Sequence, residues 1–380
     1  MFAVHTKPDT QKKLSILSQD SQYDLACACG TNDADRRHRS KEGKWIYPVT
    51  LPNGGTTILF KTLLSNVCVN DCKYCPLRAQ TDPRRCTLTA EEIVKAFLEY
   101  YNSGRVFGLF LSSGVIGDAD KTMQRLNKVA AILRKKQFKG YIHLKVIPGA
   151  SDAAIEQAVS LASAVSINIE TPGEKHFAKL SANKKYLTDV IAPLKLISKL
   201  TQKGMRYSRV KQTTQFVVGA AGERDAEIIK YSWGLYKRLG LSRIYFSAYQ
   251  KGLGSPDIPG EFSSSQNSDI LTREHRLYQV DWLIRKYGFG LDEICFEKNG
   301  QLSLTDDPKE AWAKKHPEMF PVDINKADKY ELLRIPGLGH VTVNRILNLR
   351  ANRIKIQSIE TIGKPSKRLQ KAQKFIKFSY

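Results

Sequence analysis

Between residues 56 and 297 short apolar runs alternate with longer stretches of helical character, and this alternation limits the fold more than any other feature of the chain. Strand-like runs fall at 57–63, 106–111, 140–147, 164–169, 213–218 and 242–247. Helix starts lie between them. Thr89-Ala90-Glu91-Glu92 reads as a capping box ahead of Ile93-Val94-Lys95-Ala96-Phe97-Leu98, and the charged stretch 121–136 repeats with a helical period. Strands spaced by helices pair in parallel and carry the helices on their faces. Six such units are too few for the eight-fold barrel, so the expected fold is α/β, a partial (β/α)6 TIM-type barrel with its site at the carboxyl ends of the strands.

The first run is followed at once by Cys68-Val69-Asn70-Asp71-Cys72-Lys73-Tyr74-Cys75, a CxxxCxxC spacing. Three thiolates leave a four-iron cluster one ligand short, whereas a structural zinc site wants four ligands and no second cysteine or histidine pair lies nearby. The open iron can chelate the amino and carboxylate groups of S-adenosylmethionine. An electron from the cluster then breaks the sulfonium bond to give a 5′-deoxyadenosyl radical. With Tyr74 as the aromatic before its last cysteine, the segment resembles the radical S-adenosylmethionine superfamily. That resemblance implies a 4Fe–4S cluster on Cys68, Cys72 and Cys75, S-adenosylmethionine as cosubstrate with Tyr74 beside it, and an electron donor such as flavodoxin or ferredoxin.

Other strand ends supply further candidates for the cosubstrate. Ser112-Ser113-Gly114 falls where the superfamily places a Gly-Gly-Glu-like segment against the methionyl amino group, although the acidic residue is absent here. Asn168 and Glu170 share one side of an extended strand and can bond ribose hydroxyls or the methionyl carboxylate and ammonium. Gly219, in Val218-Gly219-Ala220-Ala221-Gly222-Glu223, lets backbone approach a flat ring such as adenine. Lys145, Tyr245 and Tyr249 can line the substrate side, although aromatics there read as core and none is given a chemical role, and His143 shows no metal-ligand pairing. Cys27, Cys29, Cys86 and Cys295 have spacings that fit no ligation motif and read as isolated thiols.

At 380 residues the chain has room for two domains, and its composition of 42% hydrophobic and 26% charged residues is that of an ordinary globular protein. No apolar stretch reaches signal-peptide or membrane-span length, so no membrane partner and a cytoplasmic location are expected. Seven cysteines, three of them in one motif, argue for a reducing compartment. The formal charge of +23 implies attraction to polyanions such as nucleic acid, a partner class rather than a reaction.

Residues 322–380 hold 13 Lys and Arg against 4 Asp and Glu, a net of +9. Within them a helix around Tyr330 to Arg334 and another from Val341 to Arg350 flank Ile335-Pro336-Gly337-Leu338-Gly339-His340. This resembles a helix-hairpin-helix, in which Gly337, Leu338 and Gly339 form a turn whose amides face a phosphate and Arg345 adds charge. A weaker copy follows at Gly363 and Lys364.

Taken with Tyr23-Asp24-Leu25, Gly140-Tyr141-Ile142-His143-Leu144-Lys145, Arg273-Glu274-His275-Arg276 and Phe320-Pro321-Val322-Asp323, the chain resembles a bacterial family of DNA modification or repair radical S-adenosylmethionine proteins with such a tail. The resemblance implies an extension at 1–55, a barrel at 56–300, a connector at 301–321 and a small all-α DNA-binding domain at 322–380. It implies a cluster, the cosubstrate and a link to DNA but supplies no reaction; the leading expectation is an enzyme that abstracts hydrogen from nucleic acid, DNA first, with a DNA glycosylase-like companion among its partners. The competing readings are an iron–sulfur DNA-binding repair protein without turnover, and radical chemistry on RNA or a small molecule.

Overall fold

The computed structural model describes residues 8–21, 45–50 and 55–379. Cys27, Cys29, the segment Tyr23-Asp24-Leu25, the basic run at 36–41 and the turn residues 52–54 lie outside them.

All six apolar runs are strands, and one more precedes them. The sheet runs in chain order through β1 (Ile46–Thr50), β2 (Thr56–Leu63), β3 (Gly108–Ser112), β4 (Tyr141–Lys145), β5 (Ala164–Ser166), β6 (Lys211–Val218) and β7 (Arg243–Ala248). From β2 onward every pairing is parallel, and the sheet curls into a half barrel. The strand not foreseen is β1, which pairs antiparallel with β2 and sets Pro48 opposite Ile58. Proline has no N–H for a ladder and survives only on a sheet edge, which is why Ile46-Tyr47-Pro48-Val49-Thr50 did not read as a strand.

The connecting helices are α1 (Thr10–Asp20), α2 (Ala90–Asn102), α3 (Ala119–Lys135), α4 (Asp152–Leu161), α5 (Glu174–Phe177), α6 (Ala192–Thr201), α7 (Asp225–Leu239), α8 (Pro259–Phe262) and α9 (Asn267–Lys286). The starts of α1 to α4 follow from side-chain caps worth about 1 kcal/mol each. The Glu92 amide donates to Thr89 Oγ1 at 3.1 Å and the Thr89 amide to Glu92 Oε2 at 2.7 Å, so α2 opens on the expected capping box. The Asp118 and Ser151 side chains cap α3 and α4 more simply, accepting from the Lys121 and Ala154 amides. Phe60, Leu109, Leu111, Ile142, Leu144, Val165, Phe216 and Ile244, on the helix side of the sheet, are buried to 0% exposure. Phe60 meets Phe97 of α2 edge-on at 6.0 Å.

The chain divides into two compact units, Met1–Glu223 with Gly234–Glu274, and Arg224–Trp233 with His275–Tyr380. In the first unit, residues 64–89 between β2 and α2 have almost no regular structure, and side chains hold them in place. Arg85 donates to the carbonyls of Asn66, Leu77, Arg78 and Thr81. Asn66 donates to Asp20 Oδ2 and Arg84 O, both at 2.7 Å, and accepts from the Cys86 amide. Asp71 accepts from Ser181 Oγ at 2.5 Å, from the Ala182 amide at 2.7 Å and from the Asn183 amide. Burial pushes the Asp71 carboxyl up, but these donors outweigh it and hold it below its ordinary value.

In the second unit, α10 (Pro308–Lys315), α11 (Lys329–Arg334), α12 (His340–Ala351), α13 (Ile359–Ile362) and α14 (Lys367–Ala372) surround an apolar core that includes Leu332, Leu338, Val343, Ile346, Ile359 and Leu369. The segment is not all-α. Strands β8 (Val322–Asp323) and β9 (Ile376–Lys377) pair in parallel and bring its two ends together, and two residues each are too few to show a period in sequence. Gly337 has φ +88°, and a Cβ there would stand 2.2 Å from the carbonyl oxygen of Arg368. The turn between α11 and α12 therefore packs directly on α14. Lys309 fastens the same turn from within, donating to Ile335 O at 3.0 Å and Leu338 O at 2.5 Å.

Two outcomes follow. Gly337→Ala is expected to destabilise the second unit by about 2 kcal/mol, which speeds native-state hydrogen exchange of its core amides roughly 30-fold; unchanged exchange would contradict the packing described. Asp71→Asn is expected to lower the melting temperature at pH 7 and to make no difference at very low pH. The sign is that of a carboxyl depressed by folding: its contribution is complete above the unfolded pKa and disappears as pH falls through the folded one.

Candidate cluster and cosubstrate site

The cysteine loop leaves the carboxyl end of β2 and is pinned by backbone bonds at several points. The Val69 amide donates to Val115 O at 3.0 Å, the Lys73 amide to Leu180 O at 2.8 Å, and the Ser255 amide to Lys73 O at 2.6 Å. Inside the loop the Cys75 amide donates to Cys72 O at 2.8 Å and the Leu77 amide to Cys75 Sγ at 3.4 Å. Arg78 closes it, donating to Cys75 O at 3.0 Å and to the carbonyls of Leu253 and Gly254. Cys72 is buried, with Cys68 and Cys75 partly so.

Around Cys72 lies a buried polar cluster that only partly follows the sequence expectations. The Tyr74 hydroxyl donates to Glu170 Oε1 at 2.6 Å, and Asn168 Nδ2 approaches Glu170 Oε2 at 3.4 Å. Lys184 completes the group, bonded to Cys72 and buried with its ammonium 5.3 Å from the Phe177 ring centroid. Burial pulls Lys184 down, but the charges of Cys72 and Glu170 outweigh it and hold the ammonium above its ordinary range. Burial pushes the Cys72 thiol up, with the Lys184 charge opposing it, and the Cys75 thiol up to about 12, so the positive charge of a metal centre would favour the thiolate at both. Lys184 was missed in the sequence because it lies in a polar loop with no period.

Glu170 carries a further mark. Its φ is +63°, in the left-handed region, while its amide donates to Gln215 O and its carbonyl accepts from the Val217 amide. A non-glycine residue held there costs on the order of 1–3 kcal/mol, and such outliers cluster at functional sites.

The remaining candidates are distributed as follows. Gly114 abuts the cysteine loop so closely that a Cβ would stand 2.4 Å from Val67 O, and its amide donates to Ser65 O. Ser112 ends β3, and the Ser113 hydroxyl donates to Gly114 O at 2.6 Å. Gly219 lies in a loop closed by Glu223, whose carboxylate accepts from the Gly219 and Ala221 amides. A Cβ on Gly219 would meet Ile270, so packing also requires this glycine. Tyr249 belongs to an apolar group with Leu180, Ala220 and Ala221, against which Tyr74 packs. Among the described residues Cys86 and Cys295 stand singly, their thiols against Lys13 O and Glu293 O.

In the second unit the structure redistributes the nucleic-acid candidates. Leu338 is a core side chain, and its amide donates to Ile335 O. Arg345 donates to Ile362 O at 3.0 Å across the space that a Cβ on Gly363 would fill, which ties α12 to α13. Gly339 opens α12, whose first bond to it comes from the Val343 amide, and Lys364 is exposed beside Lys367 and Arg368.

The donor set fits an iron–sulfur cluster. Among the described residues no three His, Cys, Asp or Glu side chains converge on one metal-ion position. A four-iron cubane takes one thiolate per iron, so Cys68, Cys72 and Cys75 need not converge, and one iron is left for an outside ligand.

Residues 62–231 match the family model described as the Radical SAM superfamily. No curated protein matches the chain in sequence. Among solved structures it is similar to the FeFe-hydrogenase maturase HydG from Carboxydothermus hydrogenoformans, with 17% identity and a TM-score of 0.44 over 58% of this chain and 50% of that one. It is also similar to methylornithine synthase (PylB), with 15% identity and a TM-score of 0.45 over 58% of this chain and 62% of that one. Streptococcus suis SuiB gives 11% identity and a TM-score of 0.45 over 61% and 48%. The chain thus spans about half the length of the first of these structures. With the match running from the end of β2 into α7 and the cysteine loop inside it, the chain carries a radical S-adenosylmethionine superfamily domain, the domain of radical SAM enzymes, whose cofactors are a 4Fe–4S cluster and S-adenosylmethionine.

Proposed function

We propose that the protein is a radical S-adenosylmethionine enzyme acting on nucleic acid, with DNA as the leading substrate. The observation that carries this reading is the pairing, in one chain, of a cysteine loop prearranged at the mouth of a half barrel with a cationic unit built from two glycine-turn helix pairs. Cys68, Cys72 and Cys75 would hold the cluster, which when bound supplies the electron that splits the sulfonium bond of S-adenosylmethionine. Tyr74, Glu170, Asn168 and Lys184 would orient the cosubstrate's amino and carboxylate groups, and Ser112, Ser113 and Gly114 would bring a carbonyl-rich turn against it.

Residues 322–380 act in this reading as a helix-hairpin-helix domain that grips phosphate backbone. Gly339 and the first-turn amides of α12 carry that role, with Lys364, Lys367 and Arg368 adding charge; Gly337, Leu338 and Arg345 serve the packing beneath. A flavodoxin or ferredoxin as electron donor, a DNA glycosylase-like companion and a cytoplasmic location belong to the same proposal. Among the described residues no helix is long and apolar enough to cross a membrane.

Protein loaded with iron and sulfide under anaerobic conditions is expected to release 5′-deoxyadenosine from S-adenosylmethionine with dithionite, and to take deuterium from labelled DNA into it. A fully loaded protein that releases none would overturn the reading. Cys72→Ala is expected to lose cluster and cleavage while retaining DNA. Lys364→Glu with Lys367→Glu is expected to do the reverse, weakening DNA retention at least about tenfold and making its affinity less sensitive to salt, because fewer phosphates are neutralised and fewer counterions released.

A further inference from the structure

The two faces of the half-barrel sheet differ in a way that packing alone does not explain. The interior of a closed barrel is ordinarily filled by branched apolar side chains. Here the inner face, opposite the fully buried helix side, carries Leu59, Leu63, Ala164 and Val217 but otherwise mostly polar and aromatic residues, and Phe110, Lys145, Arg243 and Tyr245 remain partly exposed on it. None of the seven strands contains Asp or Glu. Their four cations, Lys61, Lys145, Lys211 and Arg243, all fall on this face, because each alternates with a residue packed under the helices.

Register makes the arrangement specific. Lys145 lies opposite Ser166, Ser166 opposite Thr213, and Thr213 opposite Arg243, so that one row crosses four strands with a cation at each end and two hydroxyls between. At the strand spacing of a sheet the row spans roughly 14 Å. His143 fixes the near hydroxyl, its Nε2 2.9 Å from Ser166 Oγ. Aromatic surface flanks the row. The Arg243 guanidinium lies 5.8 Å from the Tyr245 ring centroid, and the Lys61 ammonium 5.1 Å from that of Phe110. Cations with hydroxyls suit a phosphate, and rings beside them suit a planar base.

We propose that this inner face is the substrate chamber and that it takes a single nucleotide, with its phosphate on the row from Lys145 to Arg243 and its base against Tyr245. The inference rests on the reading of the chain as a radical S-adenosylmethionine enzyme and narrows it. A nucleotide of an intact strand enters such a chamber only after leaving the stack.

The test measures equilibrium dialysis of the four deoxynucleoside 5′-monophosphates, the matching nucleosides and a trinucleotide against the cluster-loaded protein with S-adenosylmethionine. Nucleotides are expected to bind at least about tenfold more tightly than nucleosides. Arg243→Gln and, independently, Lys145→Gln are expected to reduce that preference roughly tenfold while nucleoside binding persists, with circular dichroism confirming the fold. Mononucleotides binding as well as the trinucleotide identify a free nucleotide as the source, and preference for the trinucleotide identifies a strand; either agrees with the chamber. No preference for nucleotides over nucleosides, or a preference unchanged in both variants, overturns it. Such a failure beside normal release of 5′-deoxyadenosine rejects the chamber alone, whereas absent release rejects the enzyme reading beneath it.

Discussion

Residues 64–89 carry the cysteines on a path with almost no ladder or helix of its own, so its backbone groups must be satisfied by side chains. Arg85 collects four carbonyls of that path, Asn66 ties it to α1 and to Arg84, and Asp71 fastens it to the loop at 181–183. Long loops of this kind are held in a domain for function, and here the hold fixes where three sulfurs stand relative to Glu170 and Lys184. Remove those ties and the half barrel keeps its sheet but loses the geometry at its mouth.

The same loop explains the buried charges next to it. A carboxylate in a left-handed backbone, a tyrosine hydroxyl donating to it and an ammonium against a thiol are each expensive to bury alone. Together they compensate one another and leave a polar, prearranged wall beside the sulfurs. In the second unit the compensation runs the other way. Glycines and cations there, Gly337 with the buried Lys309 and Gly363 with Arg345, serve close packing of short helices that could not bury a core singly.

Much of the first unit was legible in the sequence. Strands that are buried on a helix-covered face read as apolar runs, and Thr89 announces its helix because a capping oxygen must precede the first turn. Elements whose stability is not periodic were hidden. Pro48 masks an edge strand, and β8 and β9 are too short for any pattern. Asp71, Arg85 and Lys184 act through contacts with residues distant in the chain, so no local signal marks them. Arg345 was read from charge alone: a cation near a glycine turn suggests phosphate, and only the fold shows that its guanidinium also holds Ile362 O. The inner-face residues Lys145 and Arg243 were visible as charges in strands, but their common row appears only once the register is known.

The central claim is that Cys68, Cys72 and Cys75 hold a cluster with one iron open to an outside ligand. Electron paramagnetic resonance of the reduced, oxygen-free protein tests it most directly. A cubane signal whose g-values shift when S-adenosylmethionine is added is the predicted result. A signal indifferent to S-adenosylmethionine, or a protein that takes up zinc and no iron, would contradict the account.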